Sequence, residues 1–303
     1  MKVLVTGVTG QLGHDVMFEL KRRGYEAVGS ARREPEELPD GADFIRLELA
    51  DGAAVKAAVS ELHPDAVIHC AAWTAVDAAE EPENREAVYS ANVLATRFLA
   101  EAAKNVGAKM LYLSTDYVFD GQGTRPWEPD DVCFAPLNYY GETKLLGERA
   151  VAETLDRFFV VRIAWVFGKN GKNFIKTMLN VGRTHDMVRV VRDQIGTPTY
   201  TFDLARLLVD MIETEKYGYY HATNSEEAPG EYISWYDFTR EIYREAGLGT
   251  EVVPVTTAEY GLSKAVRPFN SRLDKRKLVE AGFVPLPSWQ DALHRYLLEI
   301  GEL

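Results

Sequence analysis

The chain has 303 residues, of which 46% are hydrophobic and 26% are charged. This balance is typical of a globular protein and excludes a disordered, collagenous or membrane-spanning chain. Because 34 Lys and Arg residues face 46 Asp and Glu residues, the formal net charge is −12, which excludes a general nucleic-acid binder or a binder of acidic lipids.

Short apolar runs alternate with longer amphipathic stretches through the first half of the chain. The runs predict strands at Lys2–Thr6, Glu26–Gly29, Asp43–Leu47, Ala66–Cys70, Lys109–Ser114 and Phe158–Ile163. The stretches between them predict helices at Gln11–Arg23, Ala53–Leu62, Glu83–Val106 and Tyr140–Leu155. Because strands that alternate with helices form right-handed βαβ units, we predict an α/β protein with a Rossmann-type, doubly wound parallel sheet.

The alternation becomes less regular after residue 165. The later segments predict three helices and one strand, at Arg206–Ile212, Ser234–Ala246 and Ser288–Glu299, and at Tyr217–Ala222. Ser234 and Asp237 have the spacing of a helix N-terminal cap.

This change of pattern predicts two structural parts. A single hydrophobic core stops growing near about 250–300 residues, so we expect a smaller lobe beside the main domain. We assign residues 1–165 to a dinucleotide-binding domain, to which residues from about 200 to 222 return. Residues 166–200 and 223–303 are expected to form a C-terminal substrate-binding lobe.

The cysteines and the N-terminus indicate the compartment. Cys70 and Cys133 are too few for a disulfide framework, and their spacing suits no metal site. The first residues enter a short apolar strand without the longer apolar run of a signal peptide. We therefore expect a cytoplasmic protein with reduced thiols and with neither membrane nor nucleic acid among its partners.

A glycine-rich turn follows the first predicted strand. Gly7, Gly10 and Gly13 form a GxxGxxG pattern that leads directly into a helix. Small residues there let the backbone approach a pyrophosphate, which the free N–H groups of a helix N-terminus bind. No Gly-Lys-Ser/Thr follows, which excludes a Walker-type loop. The predicted cofactor contacts of this turn are Gly7, Thr9, Gly10, Gln11, Leu12 and Gly13.

The end of the second strand bears on the choice of dinucleotide. An acidic residue at this place binds the ribose 2′-hydroxyl of NAD, whereas arginine binds the 2′-phosphate of NADP. This position therefore favours NADPH, because it holds Ser30, Arg32 and Arg33. NADH is the alternative cofactor, and one of the two arginines can instead be a solvated charge in the loop. Leu49, which follows the third strand, is expected to wall in the adenine.

Tyr140 and Lys144 stand four residues apart on one face of a predicted helix. A tyrosine beside an ammonium group can act as an acid, because the positive charge favours phenolate and lowers the pKa. Such a tyrosine can protonate an alkoxide as a hydride reaches a carbonyl carbon. Tyr260 and Lys264 repeat the spacing, but without a neighbouring strand or glycine turn we predict that this second pair is structural.

Together these features resemble the extended short-chain dehydrogenase/reductases, and within them the dTDP-4-dehydrorhamnose reductase family. The resemblance spans essentially the whole chain and rests on six strings in order: Cys70-AAWTAVDAAE, Ser114-TDYVFDG, Tyr140-GETKLLGE, Trp165-VFG, Asp193-QIGTPT and Arg267-PFNSRLD.

The resemblance implies a catalytic trio of Thr115, Tyr140 and Lys144. Tyr140 would donate the proton, Lys144 would hold the nicotinamide ribose and tune the tyrosine, and Thr115 would hydrogen-bond the substrate carbonyl. Ser114, one residue earlier, competes with Thr115 for that last role. The resemblance also implies that small residues line the cofactor, namely Ala71, Ala72 and Thr74.

The same resemblance implies a dTDP-4-keto-6-deoxy sugar as substrate. Asn173 and Arg267 would bind its diphosphate, although Arg267 can also be a surface charge. Trp165 would face the deoxysugar or lie in the core. The remaining expected substrate contacts are Asp116, Tyr117, Gln194 and Thr199.

Two further expectations concern assembly and metal. The superfamily implies a homodimer. Some family members hold Mg²⁺ through acidic groups, one of them on the first helix, where this chain has Asp15 and Glu19. Neither residue has a partner at a suitable spacing, so we predict no metal.

Three alternatives remain at the level of sequence. The first is a reductase that gives the talo rather than the rhamno product. The second is a dehydratase or epimerase of the same fold, although related dehydratases carry Asp-Glu where this chain has Asp116-Tyr117. The third is a non-catalytic subunit like the regulatory partner of methionine adenosyltransferase, against which the retained trio argues.

Overall fold

The computed structural model of the protein describes residues 1–226, 228 and 230–303. These residues form thirteen strands, in chain order β1 Lys2–Thr6, β2 Glu26–Ala31, β3 Asp43–Arg46, β4 Ala66–His69, β5 Lys109–Thr115, β6 Phe158–Ile163, β7 Val166–Phe167, β8 Met187–Val191, β9 Ile195–Gly196, β10 Thr199–Tyr200, β11 Gly218–His221, β12 Ile233–Ser234 and β13 Glu251–Val255. Seven of them make one sheet in the order β11-β6-β5-β4-β1-β2-β3. All neighbours in it are parallel, which confirms the predicted fold class.

Helices cover both faces of this sheet. The α-helices of the described residues are, in chain order, α1 Gln11–Arg22, α2 Gly52–Leu62, α3 Val76–Ala79, α4 Arg85–Tyr89, α5 Ala95–Val106, α6 Tyr139–Thr154, α7 Phe174–Thr184, α8 Thr201–Ile212, α9 Trp235–Glu245, α10 Thr257–Tyr260, α11 Arg276–Glu280 and α12 Trp289–Glu299. One core lies between the sheet and α1, α8 and α11, and the other between the sheet and α2, α5 and α6. Because both faces are buried, the central strands are continuously apolar rather than alternating.

A third apolar core lies away from the sheet. It joins α7, α9 and α12 through side chains such as Ile175, Phe238 and Leu293. The predicted cap of α9 is present, since the Ser234 hydroxyl accepts from the Asp237 N–H while the Asp237 carboxylate accepts from the Ser234 N–H. The strand β11 pairs with β6, and α8 packs in the core beside α1, so residues 201–221 lie on the main sheet.

The helix predicted at Glu83–Val106 differs in its interior. A 3₁₀ turn at Pro82–Asn84 leads into α4, and a π-helical turn at Ser90–Leu94 separates α4 from α5. The extra residue of a π turn rotates the side chains that follow and is often found at functional sites.

A segment near the C-terminus closes over the carboxyl end of the sheet, and we call it the strap (residues 264–274). Trp127 is bonded to it three times: its N–H donates to the Arg272 carbonyl at 2.9 Å, its Nε1 to the Asn270 carbonyl at 3.1 Å, and its carbonyl accepts from the Asp274 N–H at 2.8 Å. No helix among the described residues is both long enough and apolar enough to cross a membrane.

Candidate active site

The glycine turn lies where β1 ends, at the carboxyl edge of the sheet. Gly7 has a φ of +72°, and a Cβ there would lie 2.7 Å from the Ala71 backbone, so only glycine fits. At Gly13 a Cβ would overlap the Gly7 carbonyl oxygen. The Ala71 N–H donates to the Thr6 hydroxyl at 3.3 Å, which fixes the loop after β4 against the turn. Ala72 and Thr74 follow on the same half-exposed loop.

The turn presents a helix N-terminus of the kind that binds anions. Gly10 is the N-cap of α1 and supplies no side-chain acceptor to the first N–H groups. These N–H groups and the helix dipole favour a pyrophosphate. Thr9 and Gln11 flank the cap, and both are half-exposed, whereas Leu12 is buried in the core. The residues present therefore fit a dinucleotide.

The end of β2 completes this half of the site. The Ser30 carbonyl accepts from the Gly7 N–H at 2.9 Å, and its buried hydroxyl has no hydrogen-bond partner among the described residues. Arg32 and Arg33 are exposed and form no ion pair with any described residue. Leu49 is half-buried against the core of α2 and α5. An orphaned hydroxyl beside two unpaired guanidinium groups is the environment that a phosphate ester would fill.

Tyr140 and Lys144 lie in the first turns of α6. The Asn138 side chain caps this helix by accepting from the Gly141 N–H at 2.8 Å. Lys144 is 3% exposed, and its Nζ donates to the Leu113 carbonyl at 2.7 Å. Burial lowers the pKa of Lys144 to about 7.

The electrostatics of Tyr140 differ from the expectation. Burial raises the pKa of Tyr140 above its ordinary value, while the neighbouring Thr115 hydroxyl acts in the opposite sense. The lowering expected from Lys144 is not seen, because the largest effect on the pKa of Tyr140 is its own burial, which favours the neutral phenol. At neutral pH Tyr140 therefore holds its proton.

Thr115 ends β5 and meets two of the predicted substrate contacts. Its hydroxyl donates to Asp116 Oδ1 at 3.0 Å, and the Tyr117 ring packs edge-on against Tyr140 with centroids 5.6 Å apart. Asp116 is 1% exposed, and burial raises its pKa to about 6. The Ser114 hydroxyl, the competitor of Thr115, is buried without a partner among the described residues.

Asn92 connects the loop after β4 to the start of α6, although the sequence did not point to it as a site residue. It lies in the π turn, is 1% exposed, and joins the Trp73 backbone to the Thr143 hydroxyl of α6, at 2.8 and 3.0 Å. Thr143 in turn donates to the Tyr140 carbonyl at 2.9 Å. The available signal was the polar pair of Asn92 and Thr96, four residues apart on a helix face that is otherwise apolar.

Arg267 lies on the strap and is held by Asp77 of α3. Its Nη2 donates to Asp77 Oδ2 at 2.7 Å and its Nη1 to Oδ1 at 3.1 Å. The Arg267 side chain is 25% exposed, so an anion can reach it. Lys264 of the second Tyr/Lys pair forms an exposed ion pair with Glu81, which fits the predicted structural role.

Two predicted substrate contacts, Asn173 and Thr199, have side chains that are hydrogen-bonded within the protein. Asn173 caps α7, accepting from the Lys176 N–H, and its amide donates to Gln11, the Gly168 carbonyl and the Tyr296 hydroxyl. Its two N–H groups are thus occupied, and its contact with Gln11 places it beside the glycine turn. Thr199 has no exposed surface, and its hydroxyl donates to the Ala164 carbonyl at 2.6 Å.

Gln194 and Trp165 border the same side of the site. Gln194 is 4% exposed and donates to the Thr257 hydroxyl at 3.1 Å, which leaves little surface for a ligand. Trp165 is half-exposed and has a φ of +51°, a conformation that costs about 1–3 kcal/mol for a residue other than glycine. Its ring stacks on Trp235 with centroids 3.8 Å apart. Such strained residues cluster at functional sites.

The acidic residues of α1 are engaged with other partners. Asp15 accepts from the Thr201 hydroxyl at 2.5 Å, and Glu19 accepts from Arg22 and Arg23 at 2.6–2.7 Å. In the described part of the chain, no group of three or more His, Cys, Asp or Glu residues is arranged to hold a metal ion.

Known sequences are similar to this chain over nearly its whole length. The model of the RmlD substrate binding domain family matches residues 1–301. The dTDP-4-dehydrorhamnose reductase of Streptomyces griseus is 41% identical over 297 residues, which cover 96% of this chain and 91% of the relative.

Solved structures share the fold. A dTDP-4-dehydrorhamnose reductase of Clostridium acetobutylicum is 37% identical and superimposes with a TM-score of 0.89 over 99% of this chain and 100% of its own. The Bacillus anthracis reductase of the same name, solved in complex with NADP, is 36% identical, with a TM-score of 0.87 over 98% of this chain and 99% of its own. These matches confirm the resemblance that the sequence motifs indicated, and the chain belongs to the RmlD substrate binding domain family.

Proposed function

We propose that this protein uses NADPH to reduce the C4 keto group of dTDP-4-dehydro-6-deoxy-L-sugar, giving dTDP-L-rhamnose. The observation that carries the proposal is the meeting of Thr115, Tyr140 and Lys144 at the carboxyl edge of the sheet, next to a glycine turn that fits a dinucleotide. Ligands of open parallel sheets bind at this edge. The family and the NADP complex of the Bacillus anthracis relative support the same reaction and cofactor.

The reaction moves one hydride and one proton. A bound NADPH supplies the hydride to C4 of the sugar. Tyr140 gives its hydroxyl proton to the C4 oxygen, so its O–H bond breaks as the new O–H bond forms. Its raised pKa keeps this proton in place at neutral pH until an alkoxide develops to accept it. The Thr115 hydroxyl, at the end of β5, orients the carbonyl.

We infer that Lys144 returns the proton to Tyr140. Its pKa of about 7 means that it exchanges a proton readily at neutral pH. Lys144 Nζ donates to the Leu113 carbonyl. Lys144 also lies on the same face of α6 as Tyr140. We infer that Lys144 also binds the nicotinamide ribose, as the family resemblance implies.

The structure favours reduction over the related reactions. Dehydration across C5–C6 needs a second carboxylate beside the strand-end threonine, and Tyr117 occupies that position here with its ring against Tyr140. The unpaired Arg32 and Arg33 suit NADPH, which a reductase must exchange after each turnover, better than the NAD that an epimerase retains.

The test is the loss of NADPH absorbance with purified protein and dTDP-6-deoxy-L-lyxo-4-hexulose, with NADH as the comparison. Tyr140→Phe should lower kcat by about 10²- to 10⁴-fold and leave NADPH binding nearly unchanged. Tyr139→Phe, one residue away and bonded through its hydroxyl to the Arg85 carbonyl, is the matched control. Full activity of Tyr140→Phe would refute the assignment.

Two outcomes separate the alternatives. NADPH oxidation followed by NMR of the product distinguishes the rhamno from the talo sugar. Tight NADP(H) binding without oxidation of either cofactor would favour a non-catalytic subunit instead. The predicted homodimer and the cytoplasmic location stay predictions, and light scattering of the purified protein would test the first.

A further inference from the structure

One carboxylate on α3 receives four hydrogen bonds from the strap. Asp77 Oδ1 accepts from the N–H groups of Lys264 and Ala265 at 3.1 and 3.0 Å and from Arg267 Nη1 at 3.1 Å. Among the described residues, its Oδ2 accepts only from Arg267 Nη2, at 2.7 Å. Arg267 holds the pKa of Asp77 below its ordinary value, so the pair stays charged.

The same region also fixes the start of the catalytic helix. Glu80, directly after α3, accepts from the Tyr139 N–H at 2.7 Å. Asn138, the cap of α6, donates through its amide to the Val266 carbonyl of the strap at 2.8 Å. The position of Arg267 is therefore tied to that of Tyr140 through two short connections.

The guanidinium group of Arg267 keeps donors for a ligand. Arginine has five N–H donors, and Asp77 accepts two, which leaves three without a partner among the described residues. Pinning one edge of the group on a carboxylate reduces the rotamer freedom that binding would otherwise remove. Tyr117, whose ring packs against Tyr140 with centroids 5.6 Å apart, has a pKa that burial raises, and it is near enough to Arg267 for that charge to oppose the rise, so Arg267 lies near the reaction site.

We propose that Asp77 is a positioning residue that orients Arg267 toward the diphosphate of the nucleotide-sugar substrate. The proposal rests on the proposed function, in which Arg267 binds that diphosphate. It predicts that Asp77 acts on substrate affinity and leaves the dinucleotide and the hydride transfer unaffected.

The two carboxylate oxygens have different partners, and this makes the proposal separable from a purely structural role. Asp77→Asn can keep Oδ1 for the strap N–H groups and for Arg267 Nη1. At the Oδ2 position it places an amide N–H₂, which cannot accept from Arg267 Nη2. Asp77→Ala removes the acceptors both for the strap N–H groups and for Arg267. A matched control is Lys264→Gln, which breaks a different ion pair of the strap, to Glu81, and leaves Arg267 unchanged.

The experiment measures dTDP binding by calorimetry and steady-state kinetics on the full chain. Asp77→Asn should weaken dTDP binding and raise the KM for the nucleotide sugar by about five- to tenfold, because the lost contact is a half-exposed charged pair. Its kcat should change by less than about twofold, and the KM for NADPH should stay the same. Lys264→Gln should leave all these values within about twofold.

Unchanged or tighter dTDP binding by Asp77→Asn would overturn the proposal, as would an equal effect of Lys264→Gln. If Asp77→Asn does not fold, Asp77→Glu, which keeps the charge, serves instead and should give a smaller loss of the same kind. The proposed function fails separately: a wild-type protein that binds dTDP through Asp77 but reduces no 4-keto sugar refutes the reaction and leaves this inference standing.

Discussion

Asp116 is a buried carboxyl group whose ionisation should weaken the folded state. Its Oδ1 accepts from the Thr115 hydroxyl at 3.0 Å, and its buried Oδ2 has no hydrogen-bond partner among the described residues. Burial raises its pKa from 3.8 to about 6, although the hydroxyls of Thr115 and Ser271 partly oppose the shift. The folded protein therefore binds this proton more tightly than the unfolded chain does.

The size and sign of the effect follow from this shift. One pKa unit corresponds to about 1.4 kcal/mol, so the shift of roughly two units costs about 3 kcal/mol once the group is ionised in both states. Below about pH 4 both states are protonated and the cost is absent. It develops as the pH rises from about 4 to about 6 and stays constant above that range. Asp116→Asn removes the titration.

The assay is urea unfolding of the wild type and of Asp116→Asn between pH 4 and pH 7.5, followed by circular dichroism. The free energy of unfolding of the variant, relative to the wild type, should rise by about 2–3 kcal/mol over this range. Asp120→Asn, four residues along the chain on the half-exposed loop after Phe119, is the control and should run parallel to the wild type. Parallel curves for Asp116→Asn as well would refute the assignment of a raised pKa.

Three further predictions test the cofactor turn, the buried ion pair and the dinucleotide preference. Gly13→Ala should weaken NADPH binding at least about tenfold in a fluorescence titration, because the new methyl would overlap a carbonyl oxygen of the turn. Glu148→Gln should lower the free energy of unfolding by about 3–5 kcal/mol, measured by urea, since Arg162 is 1% exposed and would be left unpaired. Replacing Arg32 and Arg33 together with alanine should raise the KM for NADPH about tenfold and leave that for NADH unchanged.

Each of these predictions has a control or a result that would contradict it. Gly24→Ala, at a turn where a Cβ meets nothing within 4 Å, should leave NADPH binding unchanged despite its positive φ. Equal stability of Glu148→Gln and the wild type would show that water or a rearranged partner compensates Arg162. Parallel losses for NADPH and NADH in the arginine variant would mean that the two groups do not contact a 2′-phosphate.

The main sheet could be predicted from the sequence because its strands are buried on both faces. Continuous apolar runs such as Lys2–Thr6 and Phe158–Ile163 match the observed strands residue for residue. The glycine turn and the Tyr140 helix were equally accessible, since both depend on local spacing. Helix ends were predicted less accurately. α8 begins at Thr201, five residues before the predicted start, because its first turn is buried against α1.

The remaining features depend on partners that are distant in sequence. Asn173 was assigned to substrate from its motif, but its amide is satisfied by Gln11 and by Tyr296, 162 and 123 residues away. The π turn at Ser90–Leu94 follows from close packing, because Gly147 of α6 lets the Asn92 carbonyl approach to 2.7 Å of where a Cβ would stand. Neither contact changes the local periodicity of apolar residues, so the sequence pattern does not predict them.

The elements beyond residue 165 show the same limit. α7 and the strand pair of β8 and β13 were missed, although α7 is strongly amphipathic, because their apolar residues pack on a small separate core. Short paired strands of that kind offer too few alternating residues to separate from loops.

The hydrogen bonds between Trp127 and the strap affect the order in which parts of the protein fold. Its indole nitrogen donates to Asn270, which lies 143 residues later in the chain. During synthesis the glycine turn and Tyr140 emerge long before the strap, and contacts over such sequence separations form late in folding. The substrate side therefore closes only after the strap has been synthesised and has bonded to Trp127.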